Sequence, residues 1–119
     1  MGKSGEITPS RKGKAGEALA AMLLQRRGYG ILERNYHCRY GEIDLVAQKD
    51  DMIVFVEVKL RKNHAFASGA DAVDTHKQQK LRRAALCWLS ERESDAPCRF
   101  DVIELYTEER YAHFIENAF

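Results

Sequence analysis

Two short stretches of the chain place acidic and basic side chains at spacings that suit chemistry on a phosphate group. Glu42 and Asp44 lie two residues apart in one apolar run, and Glu57 and Lys59 lie two residues apart in the next. Side chains two positions apart on a β-strand point to the same face of a sheet. Carboxylates and an amine on one face could hold a divalent cation and act on a bound phosphate.

The loop between the two runs predicts how these side chains meet. Only residues 49–51 separate the runs, which favours an antiparallel hairpin. If the loop has an even length, Asp44 lies opposite Glu57 and Glu42 lies opposite Lys59, with Cβ atoms about 5 Å apart. Four ionisable side chains would then gather on one side of a largely apolar hairpin.

This arrangement predicts metal-assisted hydrolysis of phosphodiester bonds. Mg²⁺ binds carboxylate oxygens, keeps several waters and bridges to substrate phosphate, so Asp44 and Glu57 are candidate metal ligands. A bound divalent cation activates water and neutralises the attacked phosphate, and Lys59 is placed to orient that water. Glu42 is a candidate orienting partner. In the alternative interpretation, Glu42 and Lys59 form a cross-strand ion pair and Asp44 is a surface acid near the turn.

The periodicity of apolar residues predicts the elements that must position these side chains. The pattern indicates helices over 13–27 and from residue 75, and strands over 30–39, 42–48, 52–60, 99–106 and 111–116. The third strand is almost continuously apolar, which is typical of a central strand, and the first is polar enough for an edge. We therefore expect one α/β domain, α-β-β-β-α-β-β, with a central mixed β-sheet flanked by two helices.

The helices carry apolar stripes that predict their packing. The stripe expected to pack in the first helix consists of Ala15, Leu19, Met22 and Arg26, with Ala18 and Leu23 beside it. The stripe in the second consists of Leu81, Ala84, Ala85, Trp88 and Leu89. Gly28 has the position of a helix-ending glycine, and Asp74 and Thr75 are rival N-caps of the second helix.

Length and composition limit the classes of protein. The 119 residues suit a single domain over 13–119, preceded by a flexible basic arm over 1–12. No run approaches the roughly 20 apolar residues that span a bilayer, and the N-terminal residues do not form a secretory signal, so we expect a cytoplasmic protein. The three cysteines are widely spaced and odd in number, which predicts reduced thiols and no zinc site.

Charge is distributed in blocks along the chain. An acidic block over 41–58 lies between basic blocks over 1–40 and 59–83, although the net charge is only +1. A metal site within a phosphate-binding surface would have this pattern, and so would a mixed solvated surface. Arg61 and Lys62 directly follow the third strand and are candidate contacts to a nucleic-acid backbone. Lys77 could bind phosphate at the start of the second helix, or simply extend its charge into water.

The same residues carry a family resemblance over roughly residues 13–119. The matching segments are Gly41-Glu42-Ile43-Asp44-Leu45-Val46, Phe55-Val56-Glu57-Val58-Lys59, Gly16-Glu17, Arg34-Asn35-Tyr36, Arg61, Lys77, Arg99-Phe100-Asp101-Val102 and Asn117-Ala118-Phe119. Together they resemble the YraN-like family of small uncharacterised bacterial proteins. That family is similar to the PD-(D/E)XK, or restriction-endonuclease-like, nuclease superfamily, which includes archaeal Holliday-junction resolvases.

The resemblance implies a restriction-endonuclease-like three-layer fold and a Mg²⁺- or Mn²⁺-dependent nuclease. Asp44 and Glu57 match the metal-binding acids and Lys59 matches the catalytic lysine. Glu17 matches a helix-borne acid that often completes the site, although on its own it would be read as a capping acid. Ile43 stands where the superfamily's name has proline.

The resemblance also implies partners, while the function itself stays open between classes. The implied substrate is nucleic acid, with DNA of structured or branched form expected, and related resolvases imply a homodimer. Two alternatives to an enzyme remain at this point. One is a nucleic-acid-binding module that keeps the fold without turnover, and the other is a structural or interaction protein.

Overall fold

The computed structural model describes residues 9–63 and 74–119, which form two helices and five strands. The elements are α1 (Pro9–Arg26), β1 (Gly30–Cys38), β2 (Gly41–Lys49), β3 (Met52–Arg61), α2 (Thr75–Glu91), β4 (Cys98–Tyr106) and β5 (Tyr111–Ile115). The order expected from periodicity is confirmed, and most ends lie within a residue or two of the predicted ones.

The five strands form one mixed sheet in the order β1-β2-β3-β4-β5. β1, β2 and β3 are joined by antiparallel pairing, β3 and β4 are parallel, and β4 and β5 form an antiparallel pair. A parallel pair requires a crossover connection, and the chain segment that contains α2 supplies it. β3 is therefore the central strand and β1 an edge strand, as the sequence predicts.

The helices cover opposite faces of the sheet. Alternate residues of β3 divide between two apolar clusters: Val54 and Val56 lie with α1, whereas Ile53 and Phe55 lie with α2. Because successive side chains of a strand point to opposite faces, the sheet is the middle of three layers. Trp88 of α2 is 3% exposed and belongs to the core, as expected.

The predicted packing face of α1 is wrong. Leu19 and Met22 are 42% and 41% exposed, and the buried apolar side chains of this helix are Ala20, Ala21 and Leu24. Small residues let the helix approach the sheet closely: a Cβ at Gly16 would lie 3.2 Å from Leu60 Cδ2. The helix is rich in alanine and leucine on several sides, so periodicity alone selected the wrong stripe.

The ends of the helices settle two further expectations. α1 begins at Pro9, so residues 9–12 of the predicted arm are helical, while residues 1–8 lie outside the described part of the chain. Proline is favoured in the first turn of a helix because it has no N–H to leave unsatisfied. Asp74, rather than Thr75, is the N-cap of α2, and its Oδ1 accepts a hydrogen bond from Lys77 N at 2.8 Å.

Two features of the described residues bear on compartment and redox state. Neither helix, over the residues described, combines the length and apolar character needed to cross a membrane. The three cysteines, Cys38, Cys87 and Cys98, are free thiols, as predicted. A cytoplasmic location stays a prediction.

Candidate active site

The β2–β3 hairpin has the register that the loop length predicts, and it opens at the candidate site. Pairing runs from Lys49 opposite Met52 to Leu45 opposite Val56. Beyond this last pair a side chain connects the strands, since Val58 N donates a hydrogen bond to Asp44 Oδ2 at 2.8 Å. The Asp44 carboxylate therefore lies where β2 and β3 separate.

Because the strands separate there, two expected pairings are absent from the ladder. Neither Asp44 with Glu57 nor Glu42 with Lys59 is a paired position, which corrects the direct opposition predicted from sequence. This end of β2 stays paired with β1, and the Glu42 carboxylate lies 3.2 Å from Nδ1 of His37 on that strand. Glu42 is exposed, and its predicted role as an orienting partner has no contact with Lys59 to support it.

Asp44 is the most strongly perturbed acid of the site. Burial, and after it the neighbouring charges of Glu57 and Glu17, raise its pKa from 3.8 to about 7, against the opposing hydrogen bond from Val58 N. A buried carboxylate beside other carboxylates is costly unless a proton or a cation compensates the charge. Such perturbed acids are typical of functional sites.

Glu17 approaches the same position from α1. Its carboxyl group is half-buried and lies near enough to that of Asp44 for each to influence the pKa of the other. Burial raises the pKa of Glu17, with a further contribution from the Glu42 charge, although the hydrogen bond to Asp44 acts in the opposite direction. Glu17 lies in the interior of α1, near Asp44, and is not a capping acid of the first turn, and its role in a site stays a prediction.

Two lysine side chains form ion pairs with the same carboxylate oxygen of Glu57. Lys77 Nζ lies 2.7 Å from Glu57 Oε2, and Lys59 Nζ lies 3.7 Å from the same oxygen. Burial and then the nearby Lys77 lower the pKa of Lys59. Burial lowers the pKa of Lys77, but the hydrogen bond to Glu57 and the negative charges of Glu57 and Asp44 together outweigh it, so the pKa rises. The predicted acids and lysine of the hairpin are thus brought together, and Lys77 joins them.

The two basic residues at the end of β3 form ion pairs with acids that follow later in the chain. Arg61 Nη2 lies 3.4 Å from Glu104 Oε2, with only 11% of the arginine side chain exposed, and Lys62 Nζ lies 3.8 Å from Glu108 Oε2. Lys62 remains largely exposed and accessible to a backbone phosphate. Arg61 is largely enclosed at the end of the strand, so its predicted contact with nucleic acid would require exchange of an existing partner.

Glu104 is a neighbour of the site that sequence reasoning missed. It lies opposite Lys59 across the parallel β3–β4 pair and accepts hydrogen bonds from Tyr106 at 3.2 Å and Arg61 at 3.4 Å. Its Oε1 also lies 3.0 Å from His113 Nδ1. Hydrogen bonds from these groups, acting against burial, lower the pKa of Glu104. No local signal gives a parallel register, because a long crossover separates the strands.

The donor set can be tested for its fit to a divalent cation. Within residues 9–63 and 74–119, no three His, Cys, Asp or Glu side chains are placed to hold a metal ion together. Mg²⁺ in enzymes that act on phosphate is commonly held by one or two carboxylates, with water and substrate completing the shell. Asp44 and Glu57 fit that smaller demand, because Asp44 Oδ2 accepts a hydrogen bond from the backbone N–H of Val58, the residue that directly follows Glu57.

The fold defines the structural class, and comparison with known proteins gives the family. The three-layer α/β arrangement, a five-stranded mixed sheet between two helices, is that of the restriction-endonuclease-like fold. The chain belongs to the uncharacterised protein family UPF0102, whose model matches residues 16–105, and the resemblance to the YraN-like family is thereby confirmed.

Similar proteins occur in distantly related bacteria. A UPF0102 protein of Nitrosomonas eutropha is 45% identical over 108 residues, which cover 91% of this chain and 92% of the relative. A UPF0102 protein of Moorella thermoacetica is 46% identical over 101 residues, or 84% of both chains. One from Vibrio parahaemolyticus is 45% identical over 104 residues, or 86% of both. These relatives have nearly the length of this chain.

Proposed function

We propose that this protein is a Mg²⁺- or Mn²⁺-dependent nuclease that hydrolyses phosphodiester bonds in nucleic acid. One observation carries the proposal: the carboxyl groups of Glu17, Asp44 and Glu57 crowd together beside Lys59 and Lys77. A structural ion pair needs one acid and one base. An excess of buried or partly buried acids, with an amine alongside, is what metal-assisted phosphate chemistry requires.

Each residue has a role that follows from its position. Asp44 and Glu57 would hold the cation, and Glu17 would assist through its contact with Asp44. When bound, the cation supplies an activated water and neutralises charge on the phosphate. The Lys59 ammonium lies beside Glu57, where it can orient the attacking water and stabilise the charge that develops on the phosphate.

The substrate part of the proposal is DNA, with structured or branched molecules preferred. Lys62 and Lys77 are exposed enough to contact a phosphate, with side chains 67% and 43% exposed. Phosphate contacts of this kind position a strand but carry no sequence information. We therefore expect recognition of DNA shape rather than of sequence, with affinity that falls as salt rises.

A cleavage assay with a matched acid variant tests the enzyme. Single-stranded, duplex, forked and four-way-junction DNA are incubated with Mg²⁺, Mn²⁺ or EDTA and with wild type, Asp44→Ala or Asp51→Ala. Asp51 is an exposed acid in the turn of the same hairpin and lies outside the site. Wild type and Asp51→Ala should cleave only with metal, and Asp44→Ala should not cleave. Equal cleavage by all three proteins would contradict the assignment of the site.

A second candidate is a nucleic-acid-binding module without turnover. One observation favours it: the Lys77 ammonium lies 2.7 Å from Glu57 Oε2, so the protein itself supplies a counter-charge to this acid. The same assay separates the candidates, because a module would bind DNA in both wild type and Asp44→Ala and cleave with neither. A purely structural or interaction protein would show no affinity for DNA even at low salt, where phosphate contacts are strongest.

The proposal includes a homodimer, which exposed apolar side chains support. Leu19, Leu60 and Tyr111 are 42%, 38% and 48% exposed and line a groove of about 750 Å³ between α1 and the β4–β5 hairpin. Contiguous exposed apolar surface of this kind often marks an interaction site. Sedimentation equilibrium should give a dimer for wild type and a monomer for Leu19→Lys. A monomeric wild type would contradict this part of the proposal.

A further inference from the structure

Lys77 is the more exposed of the two lysines on Glu57 and also makes the shorter ion pair. Its Nζ lies 2.7 Å from Glu57 Oε2, yet 43% of its side chain is exposed, against 20% for Lys59 and 10% for Glu57. A lysine carries its charge on a flexible four-carbon stem. The ammonium group can therefore leave Glu57 for solvent without movement of the helix.

The backbone at Lys77 is held independently of its side chain. Lys77 N donates a hydrogen bond to Asp74 Oδ1 at 2.8 Å, and Gln78 N donates one to Asp74 O at 2.8 Å. These bonds fix the first turn of α2 whichever way the side chain points. Only the four-carbon stem would move when the ammonium leaves Glu57.

We propose that Lys77 is the exchangeable counter-ion of the site: a divalent cation displaces its ammonium from Glu57, and the released ammonium binds a phosphate oxygen of the nucleic acid. This inference rests on the proposed function, because it requires a cation between Asp44 and Glu57. Lys77 is here a positioning residue for the substrate, and Lys59 stays with Glu57.

The charges of the cluster explain why the exchange would occur at Lys77. With two ammonium groups on one carboxylate oxygen, an added divalent cation is repelled until one of them leaves. The more exposed group loses less on leaving, since water solvates it at once. Because Lys77 lies in the first turn of α2, its released ammonium stays close to the N-terminus of that helix, where the helix dipole also favours a bound phosphate.

The exchange predicts coupling between metal and nucleic acid. Metal binding would free Lys77 for phosphate, so DNA should bind more tightly to the metal-loaded protein. By linkage, DNA must raise metal affinity by the same factor. Without the Lys77 ammonium, the competition at Glu57 and much of this coupling disappear.

Two binding measurements on lysine variants test the exchange. Mn²⁺ affinity is measured by calorimetry, and affinity for a labelled four-way DNA junction is measured by fluorescence anisotropy with Ca²⁺ or EDTA. Lys77→Met is compared with wild type and with Lys80→Met, which removes an exposed lysine of the same helix outside the site. Lys77→Arg serves as the conservative variant. Thermal unfolding of each protein in EDTA confirms that it is folded.

The expected result is opposite in sign for the two ligands. Lys77→Met should bind Mn²⁺ about two- to fivefold more tightly, since a partly exposed ion pair is weak and its loss removes a competitor. The ratio of junction affinities with and without Ca²⁺ should fall towards one in Lys77→Met. It should be retained in Lys77→Arg and in Lys80→Met.

Other outcomes overturn the inference, and they separate it from the proposed function. If Lys77→Met binds Mn²⁺ as wild type does, or more weakly, and the junction ratio is unchanged, Lys77 is a fixed structural partner of Glu57. That result would leave the proposed function intact. If wild type shows no Mn²⁺ binding that Asp44→Ala abolishes, the metal site and the exchange both fail.

Discussion

Replacing Asp44 with asparagine should stabilise the metal-free protein at alkaline pH, although it removes a proposed metal ligand. The Asp44 carboxylate is buried beside Glu57 and Glu17, and these surroundings oppose its ionisation. Asparagine has nearly the same shape, cannot ionise, and keeps an oxygen for the hydrogen bond from Val58 N at 2.8 Å. Replacing a residue that serves function at the expense of stability commonly stabilises the folded protein.

The size of the effect follows from the pKa of Asp44. Its rise from 3.8 to about 7 means that the folded protein holds this proton more tightly than the unfolded chain. The stability that the protonated group contributes is therefore complete below about pH 3.8 and is lost as pH rises to about 7. The whole loss is about 4 kcal/mol, of which about 3 kcal/mol falls above pH 5. Asparagine does not undergo this loss.

Urea unfolding at pH 5 and pH 8, in EDTA, measures the effect. The free energy of unfolding of Asp44→Asn minus that of wild type should be about 3 kcal/mol larger at pH 8 than at pH 5, so the variant gains stability relative to wild type as pH rises. Asp101→Asn is the matched control: Asp101 is also buried but is paired with Arg99 at 2.8 Å, so its replacement should destabilise at both pH values. A pH-independent difference between Asp44→Asn and wild type would refute the reasoning.

Three further substitutions test the core, a buried ion pair and the proposed catalytic lysine. Trp88→Ala should lower the free energy of unfolding by about 3–5 kcal/mol in urea titrations, because Trp88 is 3% exposed and packs edge-on against Phe55 at 5.8 Å. Arg99→Met should destabilise by about 3 kcal/mol in the same assay, because it leaves Asp101 buried without its partner. Lys59→Met should lose about 100- to 1,000-fold in the rate of DNA cleavage, while Mn²⁺ affinity by calorimetry is kept.

The register of the central hairpin could be predicted because local features determine it. A short loop between two apolar runs allows few pairings, and the alternation of apolar and polar residues in β2 opposes a shift by one residue. Residues 45–49 and 52–56 pair as expected. The sequence alone therefore predicts that the part of β2 around Asp44 lies next to the part of β3 around Glu57.

The opening of that hairpin could not be predicted, because it depends on a third strand. The pairing of β1 with the start of β2 extends to Cys38 opposite Gly41, and Asn35 in β1 has a positive φ of 55°. This end of β2 follows β1 instead of β3. As a result, Asp44 is not in a regular cross-strand pair with β3, and its carboxylate instead accepts a hydrogen bond from a backbone N–H of that strand.

The contact of Lys77 with Glu57 depends on tertiary structure for a different reason. The sequence predicts Lys77 at the start of α2 and suggests a phosphate contact, but the distance from that helix to β3 depends on how α2 packs against the sheet. The apolar stripe of α2 fixes its inner face through Leu81 and Trp88, and Lys77 lies one turn before Leu81. Neither spacing nor charge indicates that its ammonium lies on Glu57.

The central claim is that Asp44 and Glu57 share a divalent cation, and crystals soaked in Mn²⁺ test it most directly. An anomalous difference peak about 2.1–2.2 Å from a carboxylate oxygen of both residues is the predicted result. Lys77 Nζ should then have moved away from Glu57 Oε2, its present neighbour at 2.7 Å. Crystals with full Mn²⁺ access, no peak between the two carboxylates and Lys77 still on Glu57 would contradict the account.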